Sequence, residues 1–463
     1  MLFNSLHFLL FFPIVTILFY LLKHKWRWIL LFIASTYFYS AFYLPYILIL
    51  YAIIIVDYFC GLLIEKREGK VKLFWLLFSI ISNIGLLAYF KYFNFFIDIF
   101  HVFVPQKLHH LDILLPIGLS FHTFQSLSYT IEVYKGNQKA EKHLGYFANY
   151  VLFFPQMVAG PIEKYSTLGK ELRAKHKFKY KNISNGLRLI LYGLFVKMCI
   201  ADNLAPLVNE FYLNPTHYYS TSAWIALLAF SIQIYADFYG YSTIAIGAAA
   251  LLGINLMDNF KQPYFAISFY QFWQKWHISL TTWFRNYVFF PLGGSYVNDF
   301  RWVFNILLVF SLSGFWHGAN YTFIIWGFLH GLFYLLEKVL VKFYPETIRQ
   351  NTVFKFLGAN ITFILVTLIW VFFRAESFDK AILVLNQCFT YGYDASLNLK
   401  ISFELVSMLV IFFLIEIAIF NTRFDYFFKN SHVIFRWTGY IILIISLILF
   451  SGIQSFQFIY FQF

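Results

Sequence analysis

The run SGFWHGANYTF (313–323) sets a histidine, His317, beside Trp316 and between Gly314 and Gly318, inside a stretch (302–336) that contains no Asp, Glu, Lys or Arg. An ionisable side chain at membrane depth is costly and needs a partner or a function. A neutral imidazole in such a place can take a proton from a hydroxyl and return it to a leaving group, because its pKa lies near neutrality. Gly314 and Gly318 offer small surfaces where another helix or a linear substrate can approach closely. Asn320 adds a donor and an acceptor. His330 follows thirteen residues on, which on one continuous helix is about 20 Å, too far to share a metal unless the chain folds back.

A second stretch, FWQKWHISLTTWFRNYVFFPLGG (272–294), joins His277 to Trp273, Trp276, Trp283, Lys275 and Arg285 and ends on a Pro-Leu-Gly-Gly turn. Its Trp, Lys and Arg content suits a helix at headgroup level, and His277 is equally placed to serve a substrate site. Asn255, Asp258, Asn259, Lys261 and Gln262 precede Pro263 and predict a polar loop. Asp57, Glu132, Asp237, Arg374, Glu376 and Glu416 are charges in apolar context, read as polar glue between helices or as supports for a passage. His122, after the Pro116 and Gly118 break, is placed to face a cavity or, as the favoured reading, to make a local hydrogen bond. No HxxxH or HExxH pattern occurs and no metal site is expected. Neither GxSxG nor a phosphate-binding glycine loop is present. Cys60, Cys199 and Cys388 are scattered and read as small buried hydrophobes.

Apolar elements must position these groups. Of 463 residues, 60% are hydrophobic and 12% charged, and the mean hydropathy is +0.66. Too little polar surface remains to cover a water-soluble protein, so lipid is the expected solvent. Apolar runs recur at 8–22, 28–44, 46–64, 73–90, 223–235, 302–336, 361–373, 405–420 and 440–450. Extended into their flanks, with the stretches between them, they give about eleven spans. They do not alternate in polarity as barrel strands would, so the class is an all-α polytopic membrane protein. Residues 1–20 read as a retained first span and not as a cleaved signal.

Lys and Arg outnumber Asp and Glu by 35 to 22, a net charge of +13. The excess sits between apolar runs, at 23–27, 66–72, 135–142 and 170–181, and reads as cytoplasmic topology charge instead of a nucleic-acid surface. This places the N-terminus outside. The apolar stretch 146–162 then has positive charge on both flanks, which a single crossing does not allow. A re-entrant hairpin turning at FFPQMVAGP (153–161) resolves this, and such irregular backbone must be shielded by protein or line a cavity. No repeat or linker divides the chain, so one membrane domain is expected over 1–463.

Seven blocks carry a resemblance: 115–136, 153–165, QIYADFYGYSTIAIGAAALLGINLMDNFKQPY (233–264), 272–294, SGFWHGANYTFIIWGFLHG (313–331), WVFFRAESFDKA (370–381) and FIYFQF (458–463). Their order and content resemble the membrane-bound O-acyltransferase family, in its bacterial alginate O-acetyltransferase-like branch. The resemblance implies helices around a central funnel or tunnel. His317 matches the catalytic histidine and His277 the other histidine of the family. Asn320 and Trp316 match the block around the active residue, and Asp237, Tyr241, Trp276 and Arg285 match positions near the chamber or its rim. It implies no tightly bound cofactor, with acetyl-CoA or another acyl thioester as donor, and a bacterial cytoplasmic-membrane location. It also implies a membrane-anchored or periplasmic serine-hydrolase-like partner, with a cell-envelope polysaccharide as final acceptor. Tyr239, Thr243 and Asn286 depart from the family's usual Ser, Asp and Asp.

The implied reaction is O-acetylation of an alginate-like exopolysaccharide or peptidoglycan, with His317 as general base, His277 orienting substrate or assisting proton movement, and Asn320 steadying the thioester carbonyl. D-alanyl transfer to teichoic acid is a variant of it. A transporter or flippase for envelope-polymer precursors fits the composition too, although no inverted repeat is visible, and a scaffold of an envelope complex is a third reading.

Overall fold

A computed structural model of the chain describes residues 1–103, 109–158, 160–343, 345–392, 398–451 and 458–459. Helices and loops account for all of these, and no strand occurs among the described residues. Ala159 of the expected hairpin and residues 460–463 of the last resemblance block lie outside them.

Seven helices among the described residues are long and apolar enough to cross a bilayer: Tyr46–Lys66, Gly69–His101, Tyr180–Leu213, Ser220–Leu251, Tyr321–Phe343, Thr352–Arg374 and Val433–Phe450. The expectation of about eleven spans counted shorter runs as well. One such run, Leu6–Leu21, forms a helix of 16 residues, about 24 Å long against a hydrocarbon core of about 30 Å. The charge-free run 302–336 is divided between two helices, Asp299–His317 and Tyr321–Leu340.

The helices group into two compact units, Met1–Ile190 with Ser242–Met257, and Leu191–Tyr241 with Asp258–Phe463. In the first, the interior charge Asp57 is fully buried. Its carboxylate accepts from Ser79 (2.6 Å), from Asn83 (2.8 and 3.1 Å) and from Ser126. These donors come from the neighbouring helices Gly69–Leu87 and Leu119–Tyr134, so the carboxylate joins helices instead of lining a path. The backbone breaks after Leu144–Leu152 and re-forms one short turn, Phe154–Met157, with residues 152–158 buried. Irregular backbone therefore sits inside protein, as an apolar solvent requires. There His122 hydrogen-bonds the Val151 carbonyl at 3.0 Å.

In the second unit, Glu416 is buried and accepts from Tyr192 (2.8 Å) and Tyr235 (2.7 Å). Tyr239, one of the departures from the family pattern, stacks on Tyr235 with ring centroids 5.1 Å apart. Arg374 donates to the Asn209 side chain at 2.8 Å. The stretch 272–294 is two short helices, Phe269–Lys275 and Ile278–Phe284, followed by a wide π-helical turn, Arg285–Phe289. Trp273, Trp276 and Trp283 are buried there, so they serve packing more than they mark an exposed headgroup surface.

Candidate active site

The helix Asp299–His317 ends on the histidine itself. Gly318 continues in extended conformation (φ −160°, ψ 151°), and the Asn320 side chain caps the next helix by accepting from the Thr322 amide at 3.0 Å. The chain folds back, and the two helices pack closely antiparallel. A Cβ at Gly314 would fall on the Phe323 carbonyl, one at Gly327 on the Phe310 carbonyl, and one at Gly318 on the Phe323 ring. Of the two occupants open to these glycines, a neighbouring helix takes the place.

His317 is 3% exposed. Its ring lies 4.9 Å from Trp316, 5.3 Å from Trp326 and 5.3 Å from Phe373. The fold-back brings His317 to Trp326, which also meets His330 of its own helix at 4.9 Å, so two histidines thirteen residues apart share one indole.

His277 is the hinge between the two short helices and is fully buried. Its backbone is left-handed (φ 42°, ψ 54°), a conformation that costs a non-glycine residue roughly 1–3 kcal/mol and persists only when its surroundings impose it. The polar loop imposes it. The Lys261 amide donates to the Lys275 carbonyl at 3.0 Å, and the Ile278 amide donates to the Asn259 carbonyl at 3.0 Å. The Asn259 side-chain oxygen accepts from the Ser279 amide at 3.2 Å and from its hydroxyl at 2.7 Å. These bonds bracket His277 on both sides and aim its ring at His317, with ring centroids 6.4 Å apart. Burial pushes the His277 imidazole down to about 3, so the ring is neutral at physiological pH.

The structure gathers the other singled-out residues unevenly. Trp316 faces His277 at 6.3 Å. Trp276 is buried against Phe260 (5.1 Å) and Trp370 (5.0 Å), forming a wall beside the histidines. Asp237 stands one residue before Phe238, whose ring meets His277 at 4.7 Å. The Asp237 carboxylate takes an ion pair from Lys197 (2.5 Å) and a hydrogen bond from the Ile459 amide (2.6 Å). Lys197 also pairs with Asp202 at 2.6 Å and sits 5.4 Å over the Tyr241 ring. Tyr241 in turn packs on Phe458 at 4.8 Å. Asn320 is committed to its cap and to the Glu376 carbonyl, 2.9 Å from its amide. Arg285 is exposed at the start of its π-helical turn.

Lys197, Asn259 and His330 were not among the residues assigned to the site from sequence. Lys197 stood as a lone cation in the apolar run 194–201, itself a signal for a buried partner. It lies on the π-helical segment Phe195–Ala201, against whose backbone Gly240 packs. Asn259 carried no signal beyond loop composition. Among the described residues no group of three His, Cys, Asp or Glu is arranged to hold a metal ion.

Comparison with known proteins follows the same residues. The profile of the membrane-bound O-acyltransferase family matches residues 137–378, which include both histidines. The "probable alginate O-acetylase" of Pseudomonas aeruginosa is 37% identical over 402 residues, covering 85% of this chain and 75% of that protein. The peptidoglycan O-acetyltransferase of Helicobacter pylori is 35% identical over 388 residues, covering 78% and 72%. The teichoic acid D-alanyltransferase of Bacillus subtilis is 28% identical over 271 residues, covering 55% and 66%.

Proposed function

The chain belongs to the membrane-bound O-acyltransferase family, and from that premise we propose that it passes an acetyl group from acetyl-CoA, or another acyl thioester, toward an extracytoplasmic cell-envelope polysaccharide. As a member of that family it is an O-acyltransferase and a multi-pass protein of the bacterial cytoplasmic membrane. The observation that carries the finer reading is the pair of buried imidazoles, His317 at a helix end and His277 on a strained hinge, facing one another at 6.4 Å.

In this reading His317 is the general base. It takes the proton of an acceptor hydroxyl as that oxygen attacks the thioester carbonyl; the carbon–sulfur bond breaks, and the thiolate leaves with the proton returned by the imidazole. His277, held neutral by burial, orients the acceptor or the imidazole. Confinement of both reactants between helices raises their effective concentration. The acceptor hydroxyl belongs to a serine-hydrolase-like partner that completes transfer to the polymer, or to another acceptor that enters the tunnel. About eleven spans, a central funnel, one membrane domain and an outside N-terminus complete the proposal.

O-acetylation of an alginate-like polymer or of peptidoglycan is favoured over D-alanyl transfer, because the acetylating relatives align over 78–85% of the chain and the D-alanylating one over 55%. The test is acyl transfer by purified His317→Ala and His277→Ala proteins, inserted in bilayers with donor and partner present. His317→Ala should lose roughly 10²–10⁴-fold in rate with unchanged thermal unfolding, and His277→Ala should lose less. Wild-type rates in a folded His317→Ala protein would remove the mechanism. The ester-linked groups missing from envelope polymers of a deletion strain identify the acceptor.

A further inference from the structure

In the first unit a groove of about 550 Å³ opens beside the helices His24–Ser40, Tyr46–Lys66 and Leu144–Leu152. Its walls are apolar and aromatic, with Trp28, Phe32, Tyr51 and Ile55 prominent, and its mouth carries Lys142 and His143. A methylene fills about the volume of a water molecule, roughly 30 Å³, so the groove has room on the order of one acyl chain.

The mouth is built. Tyr58 donates to the Lys142 carbonyl at 2.7 Å, fixing the backbone there. Gly145 lets the Trp28 ring lie against the start of its helix, where a Cβ would collide with it, and Trp28 meets His143 at 4.9 Å. The two carboxylates near Lys142 have other commitments. Glu65 accepts from the Ala140 amide at 2.9 Å, and Glu141 is held by Arg173 and Tyr165. No ion pair engages the exposed Lys142 ammonium among the described residues, so the groove presents an apolar slot with an ammonium in its lining that no carboxylate pairs with.

We propose that this groove binds one anionic phospholipid, with an acyl chain along the Trp28, Phe32 and Tyr51 wall and the headgroup phosphate at Lys142. Charge complementarity selects the occupant: the slot needs a long alkyl chain with an anion at one end, and Lys142 belongs to the basic group 135–142 expected on the cytoplasmic face, where anionic lipid headgroups meet such pockets.

The experiment uses the purified full-length protein after delipidation, titrated with phosphatidylglycerol or phosphatidylcholine of identical chains and read by native mass spectrometry. Wild type should retain one tight phosphatidylglycerol, bound at least about 10-fold better than phosphatidylcholine. Lys142→Glu should reduce that preference to about 2-fold or less. Ile55→Trp, which fills the slot from an exposed position, should remove the tight lipid while thermal unfolding stays unchanged. Equal affinity of the wild type for both lipids overturns the proposal, as does an Ile55→Trp protein that keeps the lipid. Displacement of the lipid by acetyl-CoA would assign the groove to the acyl donor and overturn it too. Because the readout is binding, an inactive His317→Ala protein must give the wild-type result, so failure of the acyl-transfer mechanism and failure of this site are distinguishable.

Discussion

At the scale of single residues, the site is a problem of holding two buried imidazoles in one place. His317 needs no unusual backbone, since a helix end delivers it and aromatic rings fix its direction. His277 needs one, and the Asn259 bracket supplies it. Asn259→Ala removes two buried hydrogen bonds to Ser279 at the hinge. We expect a loss of roughly 1–3 kcal/mol in unfolding free energy, together with a fall in acyl-transfer rate larger than that instability explains, because the imidazole loses its aim. Thermal unfolding and rate measured on the same preparation check this. A stable Asn259→Ala protein with the wild-type rate would show that the bracket does not position His277. The same reasoning separates Asn259 from Asn320, whose side chain is spent on capping a helix and tethering Glu376.

At the scale of elements, the placing of His317 depends on how closely two helices approach. Between Asp299–His317 and Tyr321–Leu340 the glycines let backbone meet backbone, and in lipid such close packing is a principal source of association. Gly314→Val sets side-chain carbon where the Phe323 carbonyl now lies, and the helices must part. Overpacking of this kind costs roughly 1–3 kcal/mol, and His317, less than one turn away, moves with its helix. Gly85 is the control, because a Cβ there meets nothing within 4 Å. Gly85→Ala should leave the rate unchanged and raise stability by roughly 0.5–1 kcal/mol. Equal effects of the two substitutions on thermal unfolding would show that close helix approach is not what Gly314 provides.

At the scale of the molecule, distant parts of the sequence converge on buried charge. Lys197, Asp202, Asp237 and the Ile459 amide join three chain segments within the second unit, and Phe238, next to Asp237, bears on His277. Lys197→Met leaves two carboxylates without their cation in a buried place and should destabilise by roughly 3–5 kcal/mol. Adding Asp202→Asn and Asp237→Asn should restore part of that, measured as thermal unfolding in one detergent. Absence of rescue would mean that the lysine contributes packing and not charge. Much of this protein was legible beforehand. Composition and unbroken apolar runs determined that it is helical and lives in lipid, since no other arrangement satisfies its backbone there. Ordered blocks of residues determined the family and marked His317 and His277. The fold-back at Gly318, the left-handed hinge at His277 and the partners of Asp237 were decided only in three dimensions. Spacing along a chain describes one helix or one loop, whereas which charge meets which, and which ring faces which, depends on packing between segments as far apart as the 222 residues from Asp237 to Ile459 and the 224 from Tyr192 to Glu416.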